Sequence, residues 1–481
     1  MKKYIFYVLV FNLNMAHSQE NLDIEKAINL ALINSELYKK AEKELDYSEV
    51  HNTLFKKSFL PNIYTSSVFP SISKSVTRIT TPNGNDIFVN QNQAYYDLRL
   101  NIEQKEPLFG GKFTLSSFFN RIDLFADLNS QTYFSTPFSF SYTNTNFTFN
   151  AFKYEKIINQ LKIEEDVIKY NSQLEDIVYQ TVEKYLEVYT ITKNIEEKRK
   201  ALKGMEEIYS IAEKRFKIGS INKGDLLSLK LRILDIESSI EIMVSEQKNV
   251  QKILVDFTKN ESATTNFIKP KEDILNLNIS YESALSKMID NNQLMKELKR
   301  KKIEKELEIK THKSENKFSI NINASYGLSN TASSFNESTT NLQDQQSYSI
   351  SLRYLLFDFG KNKQQIKLLN IEKELLENDF QIAIEDLKKE LFFIVSNYNS
   401  NIRKLSFLKK KLDIVYERYN FSRKRFSLGK ITITDLNLAQ KEYQQIDNEC
   451  LTTLKNVWIN YYNIRKFTMY DFLKNKNINY W

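Results

Sequence analysis

The chain has 481 residues, with 68 Lys and Arg against 60 Asp and Glu, nine Gly, six Pro and one Cys. So few Gly and Pro exclude a fold of many tight turns and predict long uninterrupted elements, and the lone Cys450 excludes an internal disulfide. A net charge of +8 at this length is too mild for a dedicated nucleic-acid binder, and Lys and Glu alternate along the helical stretches as on solvated faces.

Residues 1–18 carry a basic start (Lys2, Lys3), an apolar run from Tyr4 to Leu13, and Ala16-His17-Ser18 in the small-x-small arrangement of a signal peptidase site. They are predicted to be a cleaved secretory signal, leaving a mature chain from Gln19 with 66 basic and 60 acidic residues. The apolar run is shorter than the ~20 residues of a spanning helix. No Cys follows the cleavage site to take a lipid.

A helical pattern over 22–57 comes next, with Ala27, Leu30, Ala31, Asn34 and Leu37 on its stripe. From 62 to 149 the composition turns to Ser, Thr, Asn, Phe and Tyr with period-two alternation. Tyr96, Leu98, Leu100 and Ile102 oppose Asp97, Arg99, Asn101 and Glu103, and Phe138, Phe140 and Tyr142 oppose Ser139, Ser141 and Thr143. Those are strands with one apolar and one polar face. Helix returns over 152–217, roughly 100 Å at 1.5 Å per residue, its stripe stepping by three and four from Leu174 through Tyr185 and Met205 to Phe216. After a tip at 218–224 the stripe resumes over 225–257, from Leu226 to Leu254. A seven-residue repeat held that long is a coiled-coil seam. Segment 260–280, with Pro270, is a connector.

The order then repeats: helix 281–313, strands 318–328 and 347–358, long helix 360–427, tip 428–434, helix 435–467 and a tail at 468–481. Lys214-Arg-Phe-Lys-Ile-Gly-Ser-Ile-Asn-Lys-Gly-Asp-Leu226 and Lys424-Arg-Phe-Ser-Leu-Gly-Lys-Ile-Thr-Ile-Thr-Asp-Leu436 align without a gap at an offset of 210. Each Gly ends the incoming helix and each Asp lies near the start of the outgoing one. The seam carries over at the same offset, through Leu391, Val395 and Tyr398 to Cys450, which is therefore a packing residue. The chain is an internal duplication, 19–259 and 281–467. At the front of the halves Ala27, Asn34 and Leu37 match Ala284, Asn291 and Leu294 at an offset of 257, so the first half has 47 extra residues, placed around a hairpin at 107–112. Helices 225–257 and 281–313 are expected to stack end to end along the long helix 152–217, and the last helix to pair in the same way with the N-terminal helix.

Two strands per repeat cannot bury a greasy face or satisfy their own edges, and two hairpins are too few to close a useful barrel; oligomerisation solves both problems. Exported strands that are apolar outward, polar inward and rich in Tyr and Phe fit an outer-membrane barrel. Helices of roughly 100 Å exceed a bilayer of about 30 Å and must project into water.

The duplicated element order, the two tips Arg215-Phe-Lys-Ile-Gly219 to Asp225-Leu226 and Arg425-Phe-Ser-Leu-Gly429 to Asp435-Leu436, and Leu-Phe at 108–109 and 356–357 resemble the TolC family of outer-membrane efflux proteins over the mature chain. The resemblance implies a mainly α protein with a β-barrel part, in which duplicated long-helix coiled-coil hairpins form a periplasmic α-barrel and the strands are contributed to a trimeric transmembrane β-barrel. It further implies a homotrimer, embedded in outer-membrane lipid, that is the passive export duct of a tripartite efflux or type I secretion system. The implied partners are a periplasmic adaptor (membrane fusion) protein and an inner-membrane pump of RND or ABC type. The competing class is a non-conducting structural or adhesive coiled-coil protein of the cell envelope.

The resemblance places Asp435 and Asp225 at the periplasmic aperture, where copies of Asp435 form a ring that favours cations. The alternative for each Asp is that it stabilises the start of its helix, and both roles can hold together. Phe426 and Ile431 stand where the family pattern has the Tyr and Arg that lock the entrance, and Leu438 stands where a second aspartate ring falls. An apolar constriction from Leu428, Ile431 or Leu438 is the alternative gate. Arg215, Phe216, Gly219, Arg425, Phe426 and Gly429 resemble the adaptor-docking surface, or else are plain helix ends with basic residues opposing the dipole. Asp97, Arg99, Glu103 and Arg353 are expected in the barrel lumen, tuning selectivity or simply solvated. Neither an enzyme nor a cofactor is expected: His17, His51 and His312 belong to no ligand or triad spacing, and there is no phosphate-binding Gly-rich loop.

Overall fold

The computed structural model describes residues 21–125, 129–145, 147–260, 266–270 and 273–480, so the expected signal at 1–18 lies outside the described residues. The chain forms two compact units. One is built from Asp46–Asp166 with Leu294–Ile382, the other from the residues up to Leu45, Val167–Gln293 and the residues from Ala383 on.

The long helices are α3 (Phe152–Lys217) and α8 (Lys361–Ser427). Neither holds a Pro, and Gly204 is the one Gly between them, so nothing stops the backbone ladder before the tip. The helices after the tips are α4 (Lys223–Thr258) and α9 (Ile433–Thr468), each starting two residues earlier than the sequence pattern suggests. The expected helices at 22–57 and 281–313 are each two helices. They are α1 (Ile24–Asn34) and α2 (Glu36–Lys57), then α5 (Tyr281–Asn291) and α6 (Gln293–Lys317). The breaks fall at Ser35 and Asn292, both in extended backbone. Ser35 donates its N–H to the Ala31 carbonyl while its Oγ accepts from Tyr38 N at 3.1 Å, closing one helix and capping the next.

The first unit holds a six-stranded antiparallel sheet in the order β2 (Asn62–Thr80), β3 (Asp86–Glu106), β4 (Gly111–Leu124), β5 (Ser130–Asn144), β7 (Phe318–Ala332) and β8 (Gln343–Tyr354). Strand β1 is Asn21–Leu22, β6 is Asn266–Phe267, and the single turn α7 (Phe335–Ser338) lies between β7 and β8. The 47 extra residues are thus strands of this sheet and not a separate flap, and the turn at 107–110 joins β3 to β4. The return strand expected at 347–358 runs from 343 to 354, because Tyr354 pairs with Phe318, where β7 begins, and beyond it no partner remains.

Directly opposed residues share a face. One row therefore reads Ile63, Ile102, Leu115, Phe140, Tyr326 across five strands, and the next Phe113, Tyr142, Ala324, Tyr348. The other face reads Asn62, Glu103, Thr114, Ser141, Ser325, Ser347 and Tyr64, Asn101, Ser116, Ser139, Gly327, Gln345. Gly327 is required where β7 crosses the β5 bulge, since a Cβ there would stand 2.8 Å from the Phe138 carbonyl oxygen. Residues 74–91 of β2 and β3 extend past the end of β4 and pair only with each other within the sheet. In the same unit α2 and α6 pack along the first part of α3: Ser48 Oγ donates to Asp166 at 2.6 Å, and Arg300 pairs with buried Glu165 at 2.6 Å.

The second unit is organised on an apolar core that includes Val182, Tyr185, Leu254, Ile274, Leu391, Tyr398, Val457 and Ile464. Short parallel pairing joins β1 to β6, and the Tyr185 hydroxyl lies 2.9 Å from the Leu22 carbonyl and 2.7 Å from that of Ile268. The Tyr398 hydroxyl donates to the Ile274 carbonyl at 2.7 Å. Helix α1 packs on α4 and α5 on α9, so the short helices lie against the outgoing helix of their own repeat. The tail folds back: β9 (Tyr470–Asp471) pairs with β10 (Lys476–Asn477), and half-buried Arg465 bridges buried Glu175 at 2.9 Å and buried Asp471 at 3.1 Å.

Candidate functional site

The two tips share one backbone plan. Gly219 N and Ser220 N donate to the Phe216 and Arg215 carbonyls at 2.9 and 2.8 Å; Gly429 N and Lys430 N donate to Phe426 and Arg425 at 2.9 Å. These bonds close the incoming helix and need the left-handed backbone that both glycines adopt, φ +73° and +74°. The outgoing helices are capped by Asn222, whose Oδ1 accepts from Asp225 N at 2.8 Å, and by Thr432, whose Oγ1 accepts from Asp435 N at 3.1 Å.

Asp435 returns a bond to the Thr432 N–H at 3.1 Å and accepts from its hydroxyl at 2.7 Å, completing a capping box. The Thr432 hydroxyl and N–H hold the Asp435 carboxyl below the ordinary aspartate range. It stays exposed and ionised, so the helix-start role is met while the charge still faces solvent. Asp225 is half-buried.

Side chains break the symmetry that the sequence suggests. Phe426 is 1% exposed, in a core with Met205, Ile208, Leu229, Ile433 and Leu436, whereas its counterpart Phe216 is 38% exposed. Arg215 reaches across from the first tip: its Nη1 donates to the Phe426 carbonyl at 3.0 Å and its guanidinium lies 5.3 Å from the ring centroid. Arg425, at the equivalent place, is exposed and turns over Phe421 on its own helix. Arg423 pairs with Glu207 at 2.6 Å, a second tie between the long helices that periodicity did not reveal.

Phe426 is therefore removed from the gate and docking sets, because a ring sealed inside its own chain offers no surface to a bore or a partner. Ile431 is half-buried beside the same core. Leu428, Leu438 and Ile218 stay exposed, as do Gly219, Gly429 and Arg425, while Arg215 is half-buried and occupied by the second tip. The sequence signal for the cap was present as Thr432-x-x-Asp435. Nothing in it distinguished Phe426 from Phe216.

A cavity of about 830 Å³ opens between α3, α8 and α9 near the tips, lined by Glu197, Tyr416, Tyr419, Gln440, Tyr443 and Asp447 among others. Burial, then the neighbouring Glu197, push the Asp447 carboxyl up. In the sheet unit Asp97 is 5% exposed and bound by Arg99 at 2.6 Å, Arg99 lies over Phe118, and Glu103 pairs with Lys112 at 3.1 Å. All lie on the polar face. Arg353 is on the same face and exposed. Among the described residues there is no cluster of His, Cys, Asp or Glu that could hold a metal, and no helix long and apolar enough to cross a membrane.

A wide antiparallel sheet with an apolar and a polar face, joined in one chain to duplicated coiled-coil hairpins, is the fold of outer-membrane channels. Residues 318–468 match the family model described as outer membrane efflux protein. A search of curated proteins finds no match. Similar solved structures include a membrane protein from Pseudomonas aeruginosa, at 12% identity and a TM-score of 0.68 over 92% of this chain and 90% of that one. Others are the Campylobacter jejuni CmeC outer membrane channel (13%, 0.65, 92% and 85%) and the outer membrane protein VceC from Vibrio cholerae (10%, 0.65, 94% and 96%). The matched model describes outer membrane efflux proteins, and the CmeC neighbour is an outer membrane channel.

Proposed function

We propose that this protein is the passive export duct of a tripartite efflux or type I secretion system, working as a homotrimer that takes substrate from a periplasmic adaptor and an inner-membrane pump. The observation that carries the reading is the sheet. An apolar face that runs across its strands, backed by a polar face, suits a wall between lipid and water, and the opposite edges demand closure where lipid offers no hydrogen bonds. The tips support the rest. Exposed Ile218 and Leu428 beside ordered helix ends suit a partner hairpin, and exposed Asp435 suits a charged ring.

The test is conductance of the purified protein in a planar bilayer. Cation-selective channels are expected, with selectivity reduced in Asp435→Ala; absence of ion conductance in both proteins would sink the duct. Photo-crosslinking from positions 218 and 428 in whole cells is expected to trap a periplasmic membrane fusion protein. Adducts only with other copies of this chain would remove the adaptor from the proposal.

A further inference from the structure

A chain with two strands per repeat would supply four strands to a shared wall, and this one supplies six. The difference is the hairpin β3 and β4, which sits in the interior of the sheet, paired on both sides: β3 with β2 and β4, β4 with β3 and β5. Its faces keep the pattern of the others, with Leu100, Ile102, Phe113 and Leu115 on the apolar side and Asn101, Glu103, Thr114 and Ser116 on the polar side. Every strand is long enough to cross a bilayer: the shortest, β8, has 12 residues, against the roughly 9–11 that a tilted spanning strand requires.

The ends of the sheet are open. Among the described residues β2 pairs only with β3 and β8 only with β7, and nearly every residue of both is exposed. An even number of antiparallel strands leaves these two edges running in opposite directions, so β2 of one copy can pair antiparallel with β8 of the next. Each chain presents one edge of each kind, which makes the joint head-to-tail, the kind that gives a ring where the rotation between copies closes.

Resting on the trimer reading above, we infer that the inserted hairpin makes the shared barrel one of 18 strands, closed by β2 against β8 of a neighbouring copy. Barrel diameter grows about linearly with strand number, so the bore is about 1.5 times as wide, and about twice as large in section, as four strands per chain would give. Eighteen strands is the size at which a barrel leaves a water-filled channel without a plug. Such a barrel is no sieve for cargo.

The experiment uses the full chain with Cys450→Ala, reconstituted as the oligomer in phospholipid vesicles. Single cysteines go on the two faces of the inserted hairpin: Leu100→Cys and Leu115→Cys, Asn101→Cys and Ser116→Cys. A fluorophore at 100 and 115 is expected to be quenched by lipid-chain nitroxides, while 101 and 116 react with a water-soluble maleimide. Reaction of all four with the aqueous reagent, and no lipid quenching, would overturn the inference by putting the hairpin outside the wall. Paired cysteines test the joint: Ser66→Cys with Ser349→Cys or Ser351→Cys should give disulfide-linked dimers and trimers. Linkage of Asn101→Cys to these β8 positions instead would exclude β2 from the seam and overturn the count. Conductance is read separately, so its loss with the labelling pattern intact would fall on the duct proposal and leave the strand count standing.

Discussion

Arg215 at the end of the first long helix donates to the main-chain carbonyl of Phe426 at the end of the second, 3.0 Å away, and stacks its guanidinium over the same residue's ring. One side chain thus holds both coiled-coil hairpins of a protomer at their tips. Arg215→Ala is expected to loosen the second tip by about 2 kcal/mol, from a charge-assisted hydrogen bond and a cation–π contact. Hydrogen exchange at 428–436 should accelerate about 30-fold by the tenfold change per 1.4 kcal/mol, and channels should open more often. Arg215→Lys should not restore either, because a point charge does not reproduce a planar fork. Unchanged exchange at the tip would show that the contact holds nothing.

The two tip glycines separate strain from contact. Gly219→Ala and Gly429→Ala both force a side chain into left-handed backbone, costing about 1 kcal/mol. At Gly219 the new Cβ meets open space, whereas at Gly429 it would lie 3.2 Å from the Arg215 guanidinium. Gly429→Ala should therefore lower thermal stability more, and combining it with Arg215→Ala should be less than additive. Equal effects in the two single variants would reject the contact.

Two carboxyls of α9 titrate in opposite senses. Asp435 is held low by Thr432, so its contribution to stability is present above the unfolded value of about 3.9 and lost as pH falls through the lower folded value. Asp447 is raised by burial, so its charged form costs stability at neutral pH and the cost vanishes below the unfolded value. Asp435→Asn should lower Tm at pH 7 and Asp447→Asn should raise it, with both differences shrinking by pH 3. Thr432→Ala, which removes the cap at about 1 kcal/mol, should leave ion selectivity in place, while Asp435→Asn reduces it. Loss of selectivity in Thr432→Ala alone would shift the role from charge to helix start.

The group Glu175, Arg465, Asp471 anchors the folded-back tail. Burial raises the Glu175 carboxyl in spite of Arg465, so this carboxylate depends on its partner. Arg465→Ala leaves it uncompensated and should cost about 3–5 kcal/mol, with protease entering at 470–480. The double change Arg465→Met with Glu175→Leu should be milder than Arg465→Ala alone. A double variant less stable than the single one would contradict the charge argument and point to shape.

Long elements were legible because their periods are carried many times over: 3.6 along α3 and α8, 2 along β3, β5 and β7. The breaks at Ser35 and Asn292 were not, since the apolar stripe continues through both and one extended residue decides them. The extra length was countable from the two offsets, but its pairing was not. Alternation tells which way a side chain points and is blind to which strand lies beside it. Phe216 and Phe426 both follow Lys-Arg and stand three residues before the tip Gly, and only the packing of one tip on the other buries the second ring. The same packing took Arg215 from a surface residue to a tie.

The Tyr185 hydroxyl has one proton and two carbonyls in reach, at Leu22 and Ile268, positions that the chain synthesises some 245 residues apart. The short parallel ladder it supports pairs Asn21 with Asn266, so that seam cannot form until more than half the polypeptide exists. Contacts this remote in sequence are slow to close. Assembly of this unit is thereby paced by a late event, with the coiled coils, whose contacts are local, free to zip first.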